Sequence, residues 1–194
     1  MKKLLTITAA ALMGISASAQ SEAGSLTWKP NVGITVASVV DVDDDIKDSR
    51  SSAIGLTAGV EAMYMINDKF GVAAGLNYTG YNINMKEDKD YTASNYYFNV
   101  PVTANYYVAP GLALKAGIAM NLLSTAKVDG ESKNPIGGKH KELYKSTFFS
   151  IPVGASYEIN DFVFDARYNF GVSDAEKYGP GRLNAFTFTV GYKF

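Results

Sequence analysis

The sequence predicts an all-β chain folded as an eight-stranded antiparallel up-and-down transmembrane β-barrel. Three observations carry that expectation. Eight segments alternate apolar or aromatic residues with small or polar ones, the period-two signature of strands with two unlike faces. The connections between them alternate long and charged with short and tight, as an up-and-down barrel with both ends on one side requires. Charge is nearly excluded from the segments themselves.

The first element is not a strand. Lys2 and Lys3, the apolar run from Leu4 to Ile15 and the small residues Ala17-Ser18-Ala19 read as a secretory signal peptide over residues 1–19, with Gln20 as the new terminus of a barrel domain over 20–194. The apolar run is too short for a membrane helix, which needs about 20 residues. Without the signal's two lysines the chain keeps 16 basic and 19 acidic residues, a balance that argues against nucleic acid as a partner. There is no cysteine, so neither a disulfide framework nor a lipid-anchored cysteine is available.

The first strand spans Trp28 to Val40, with Pro30 tolerable near its start. The acidic loop 41–50 follows, then the second strand, Ser52 to Ile66, and the tight turn Asn67-Asp68-Lys69. The third strand runs from Phe70 to Met85; its alternation slips near Gly80-Tyr81, which predicts a bulge there. The loop 86–93 leads to the fourth strand, Ser94 to Ala109, and Pro110-Gly111 turns into the fifth, Leu112 to Ala126. The longest loop, 127–144, precedes the sixth strand, Lys145 to Ile159. Asn160-Asp161 turns into the seventh, Phe162 to Ser173, and the loop 174–182 leads to the closing strand, Leu183 to Phe194. Pro101 and Pro152 fall on the small-residue face, and each missing ladder donor predicts a local bulge.

Charge placement decides which face is outside. Of 35 charged residues after the signal, 29 fall in the lead, the first strand's opening, the turns and the loops. Glu61, Lys115, Glu158, Asp165, Arg167 and Lys193 sit within strands, all on the small-residue face. A water-facing exterior carries far more Lys and Glu. The small polar face therefore points into a narrow lumen and the apolar face toward lipid. Tyr64, Phe70, Tyr106, Tyr157, Phe162 and Tyr192 flank the short turns as one interfacial girdle; Tyr78, Tyr96, Phe98, Phe149, Tyr168 and Phe186 form the other.

Several segments carry a family resemblance: Phe98-Asn99-Val100-Pro101-Val102, Ser150-Ile151-Pro152-Val153-Gly154, and Phe164-Asp165-Ala166-Arg167-Tyr168-Asn169-Phe170-Gly171, with the ending Gly191-Tyr192-Lys193-Phe194. Together they resemble the PorT-like small outer-membrane β-barrel proteins of the Bacteroidetes, and more widely the OmpA- and OmpX-like eight-stranded barrels. The resemblance implies the cell outer membrane as location. It also implies that Tyr192 and Phe194, on the terminal strand, act as an assembly signal for the barrel-assembly machinery. It supplies no common catalytic site.

An eight-stranded barrel is filled by its own side chains. Glu61, Lys115, Glu158, Asp165 and Arg167 fall at similar heights and are expected to form an interior ion-pair cluster, because an unpaired charge there is costly. The cluster reads first as a plug; a gate, a proton-sensitive site and catalytic carboxylates are the alternatives. The one histidine, His140, lies in the longest loop with no orienting partner in view, so no enzyme is expected. Asp41-Val42-Asp43-Asp44-Asp45 lacks the Gly and Glu that a calcium loop requires, having Ile46 and Ser52 instead. No metal site or cofactor is expected. The sequence thus predicts a monomeric outer-membrane barrel with a plugged interior and a structural or surface-binding role. Lipid and lipopolysaccharide are its expected partners, and any extracellular ligand is unnamed. A narrow channel for ions or small solutes is the alternative, ahead of a membrane enzyme and a soluble ligand-binding barrel.

Overall fold

The computed structural model describes residues 22–40, 50–86, 90–129, 136–137, 145–175 and 181–194. The predicted signal peptide, most of the predicted loops and His140 lie outside these residues. The barrel strands are β1 (Leu26–Val40), β2 (Arg50–Asn67), β3 (Phe70–Lys86), β4 (Asp90–Ala109), β5 (Leu112–Asp129), β6 (Thr147–Ile159), β7 (Phe162–Gly171) and β8 (Arg182–Tyr192). A two-residue strand, Ile136–Gly137, adds to the end of β5. Each barrel strand pairs antiparallel with its sequence neighbours, and β1 pairs with β8 from Val40–Arg182 to Asn31–Gly191. The sheet is therefore closed, and closure removes the unpaired edge that an open sheet would leave in lipid.

Closure runs to the last residue. Trp28 N donates to Phe194 O at 2.9 Å and Phe194 N returns a bond to Trp28 O at 3.0 Å. A tilted membrane strand needs about 9–11 residues. β2 to β5 have 18, 17, 20 and 18 residues, so they continue past that height on the long-loop side.

The faces are inverted relative to a soluble barrel. Leu56 and Ile118 are 72% and 67% exposed, while Glu61 and Asp165 are each 3% exposed. The three short-turn hairpins repeat one outward pattern. One outward position in from the turn-flanking residues Ile66, Val108 and Phe162 come Tyr64–Val72, Tyr106–Leu114 and Tyr157–Phe164. One outward rung further stand three alanine pairs, Ala62–Ala74, Ala104–Ala116 and Ala155–Ala166. Then come Val60–Leu76, Val102–Ile118 and Val153–Tyr168. The lower aromatic girdle is thus set at one height by repetition, with Phe162 and Tyr192 in edge contact at 5.4 Å. Of the aromatics expected in the upper girdle, Tyr78 stacks on Tyr96 at 5.6 Å, and Tyr168 meets Phe186 at 4.7 Å from the lower rung that Val153–Tyr168 shares with Val102–Ile118.

Two expectations about the ladders are corrected. The alternation of β3 does not slip at Gly80-Tyr81: Tyr81 and Ile83 keep the inward phase and are buried. The irregularity lies opposite, in β2, where register shifts between Ala53 and Thr57. Side chains take over the displaced backbone bonds there. Asn82 Nδ2 donates to Ile54 O at 2.8 Å, and the Thr35 hydroxyl donates to Gly80 O. The inward prolines do not make bulges either. Register is unchanged on both sides of Pro101 and of Pro152. The ladder only omits rungs, because proline lacks the donor but its fixed φ still fits a strand.

The unbroken register sets Gly117 across from Pro152. On its other side Gly117 lies so close to β4 that an added Cβ would meet Val102 O at 2.0 Å. Gly117→Ala therefore forces the backbone apart. It is expected to lower stability by about 1–3 kcal/mol, the usual scale for an overpacked site. A urea titration of the refolded protein checks it, and an unchanged midpoint contradicts it.

Candidate functional site: the filled lumen

Small inward residues leave the barrel axis to a few long side chains, which stack in layers. Next to the short turns, Met65, Tyr107 and Ala113 form a buried cluster with Met63 against it. In the same layer Tyr107 OH donates to Glu158 Oε1, and Lys193 Nζ contacts Glu158 Oε2. These bonds join β4, β6 and the end of the chain across the lumen.

The next layer is ionic. Glu61 takes Lys29 Nζ at 2.7 Å and Lys115 Nζ at 3.1 Å on Oε1, and Arg167 Nη1 at 3.5 Å on Oε2. Asp165 Oδ2 takes Lys115 Nζ at 2.7 Å. Arg167 Nε stands 2.6 Å from Asp165 Oδ1, a charge contact without hydrogen-bond alignment. All five residues are buried. They come from β1, β2, β5 and β7, so the layer ties four strands together by side chains alone. The stem of Lys29 lies over Gly191, where an added Cβ would stand 2.6 Å from Lys29 Cγ.

The sequence-predicted residues Glu61, Lys115, Asp165 and Arg167 meet in this layer. Glu158 does not: it belongs to the pair nearer the turns. Lys29 takes a place that the sequence reading left to the first strand's opening. The signal was available, since Lys29 shares its phase with Asn31, Gly33 and Thr35, the inward residues of β1. Tyr192 and Phe194 point outward, 45% and 70% exposed, at the short-turn end.

Above the ions the lumen is neutral and polar. Asn99 Nδ2 donates to Asn121 Oδ1 at 2.7 Å, Asn121 Nδ2 donates to Ser150 Oγ at 3.1 Å, and the hydroxyls of Thr57 and Thr79 lie 2.8 Å apart. Asn121 is fully buried. Asn121→Ala strands the partners of both its side-chain ends. It is expected to cost about 1–3 kcal/mol, the penalty for unmade buried hydrogen bonds. A denaturant titration reads this, and a cost near zero would show that water replaces the amide.

Toward the long loops an aromatic layer crosses the lumen. Tyr97 meets Phe148 edge-on at 5.1 Å, and Tyr81 lies 5.7 Å from Tyr97 and 6.5 Å from Phe148. Ile83, Leu183 and Ala175 pack with them, and Val39 and Leu123 lean on the cluster. Ala175 is brought in from beyond β7 by backbone bonds with Lys145 and Gly181. This layer escaped the sequence reading. Its residues have the inward phase but none of the charge that drew attention to the lumen.

Among the described residues, two voids of about 10 Å³ each lie along the axis. One lies between the ionic layer and the Glu158–Lys193 pair, the other between Arg167 and Tyr81. Each is at the lower limit for one water molecule. Among the described residues, no three His, Cys, Asp or Glu side chains come together as a metal site.

The family model for the outer membrane protein beta-barrel domain matches residues 7–194. Among solved structures, the chain is similar to Neisserial surface protein A, with 19% identity over 89% of this chain and 100% of that one at a TM-score of 0.57. It is also similar to Ail, the attachment invasion locus protein of Yersinia pestis, solved in complex with the heparin analogue sucrose octasulfate. That match has 16% identity over 88% of this chain and 99% of Ail, with a TM-score of 0.53. A search of curated protein sequences finds no match. At these identities the two structures share the fold.

Proposed function

Because this chain belongs to the outer membrane protein beta-barrel domain family, we propose that it is a plugged, non-enzymatic barrel whose structural or surface-binding work is done by its loops. The observation that carries this is the filled lumen. Ionic, amide and aromatic layers stand in series, and the voids below the ionic layer and between Arg167 and Tyr81 have room for about one water each. A rigid barrel with a closed interior leaves the loop end as the variable surface. The attachment role in Ail's name belongs to Ail, but it is the kind of work such a loop end serves.

The rest of the proposal follows the same physics. The signal peptide is removed after Ala19, both chain ends face the periplasm, and the long loops between β1 and β2, β3 and β4, β5 and β6, and β7 and β8 face outward. The protein is a monomer in lipid and lipopolysaccharide. Tyr192 and Phe194 present the assembly signal, and the kinship is to the PorT-like barrels. Planar-bilayer conductance of the refolded protein separates this reading from the channel alternative. Wild type is expected to be electrically silent. Arg167→Ala is expected to stay silent as well, because the aromatic layer still stands. A steady wild-type conductance would make the lumen a pore, with the ionic layer as its lining.

A further inference from the structure

The outer wall carries a groove of about 480 Å³ where β1, β8, β7 and β6 pass side by side. Its floor is the alanine pair Ala155–Ala166, which are register partners on the outward face. Larger side chains wall it: Tyr157, Phe164, Phe188 and Val190. Phe164 and Val190 are register partners, as are Ala166 and Phe188, so walls and floor alternate across adjacent rungs. The groove begins one outward rung from Phe162 and Tyr192, at the short-turn girdle. Its volume falls within the range of small-molecule sites, roughly 300–1,000 Å³.

We propose that this groove is a specific binding site for one acyl chain of a phospholipid in the leaflet at the short-turn end. Position identifies the occupant. The groove lies inside the apolar band, starts at the interfacial aromatics and runs toward the midplane, as a chain hanging from a headgroup does. Its apolar lining offers nothing to a polar solute. A second copy of the barrel fits poorly: an isologous contact brings the same patch together on both subunits, and two concavities facing each other enclose a void instead of packing. The alanine pairs of the other two hairpins stand at the same rung, flanked there by Tyr64–Val72 and Val60–Leu76 and by Tyr106–Leu114 and Val102–Ile118, with no phenylalanine beside the floor. In this groove Phe164 on β7 and Phe188 on β8 raise walls on both sides of the floor.

The repeated hairpin supplies a matched control. Ala166→Phe fills the groove with a side chain that lipid tolerates, and Ala104→Phe makes the same change one hairpin away. The refolded barrel would be exchanged into detergent containing dioleoyl phosphatidylethanolamine and examined by native mass spectrometry, with heat-dependent gel mobility confirming that each variant is folded. Wild type and Ala104→Phe are expected to retain one phospholipid per barrel, and Ala166→Phe to lose at least nine-tenths of that adduct. An adduct that survives in Ala166→Phe, one lost equally in both variants, or a wild type with no adduct would overturn the site. A wild-type dimer abolished by Ala166→Phe would assign the groove to self-association and overturn it too.

Discussion

Glu61→Ala is expected to destabilise the barrel by about 3–5 kcal/mol, the range for removing one partner from a buried ion pair. Glu61 is the anion that Lys29, Lys115 and Arg167 share. Without it three buried cations are left to Asp165 alone, and Asp165 already holds Lys115 and Arg167. Lys29 suffers most, since its described ion pair is to Glu61. Glu61→Gln keeps the volume and part of the hydrogen bonding but removes the charge, so it is expected to fall between wild type and alanine. Reversible urea unfolding in phospholipid vesicles measures both. A cost below about 1 kcal/mol for Glu61→Ala would mean that the layer behaves like an exposed surface pair, hydrated and weak. The lumen would then be wet at that height.

Ile118→Arg is the second large effect. Ile118 pairs with Val102, four residues along β5 from Leu114 at the Tyr106 rung and four from Leu122 at the Phe98 rung. Tyr106 and Phe98 belong to the lower and upper girdles, so Ile118 stands at the midpoint of the membrane band, and it is 67% exposed. Arginine at the midplane of a barrel's lipid face costs about 2–4 kcal/mol, and the cost falls toward the interfaces. Val108→Arg, outward beside the Pro110-Gly111 turn, is accordingly expected to cost no more than about 1 kcal/mol. Folding free energies of the two variants in vesicles give the comparison. Equal costs, or a neutral Ile118→Arg, would mean that the exposed apolar face does not meet lipid.

Strands were legible in the sequence from period-two alternation, their order and closure from the alternation of long and short connections, and face direction from the confinement of charge to one phase. Where a strand turns irregular was less legible. The slip expected at Gly80-Tyr81 mistook a change of chemistry for a change of phase: Tyr81 and Ile83 are large because the lumen becomes apolar near its mouth, and their direction never changes. The compensating irregularity sits in β2, where residues 53–57 give no sign of it, since a bulge is settled jointly by two strands. Pro101 and Pro152 were read as bulges, but a missing donor removes one rung and leaves the count of residues per strand alone. In the lumen, Glu61, Lys115, Asp165 and Arg167 were found by charge on the inward phase. Glu158 was placed with them because height was counted from the turns and the barrel's stagger cannot be counted that way. Lys29 was overlooked beside the chain's opening, and Tyr97 and Phe148 because neutral aromatics inside a barrel look the same in sequence as aromatics outside it.

The chain has no cysteine, so one introduced thiol reports one position, and Ser150→Cys is the most informative. Ser150 is 2% exposed, at the level of Asn121 between the ionic and aromatic layers. The measurement is its labelling by a membrane-impermeant maleimide in vesicles, with Ser173→Cys as a reference beyond the end of β7. The proposed closed lumen predicts that Ser150→Cys stays unlabelled in the folded barrel while Ser173→Cys reacts, and that both react after unfolding in urea. Labelling of folded Ser150→Cys at the rate of Ser173→Cys would contradict a closed lumen, because it would put a bulky solute between two layers whose void has room for about one water.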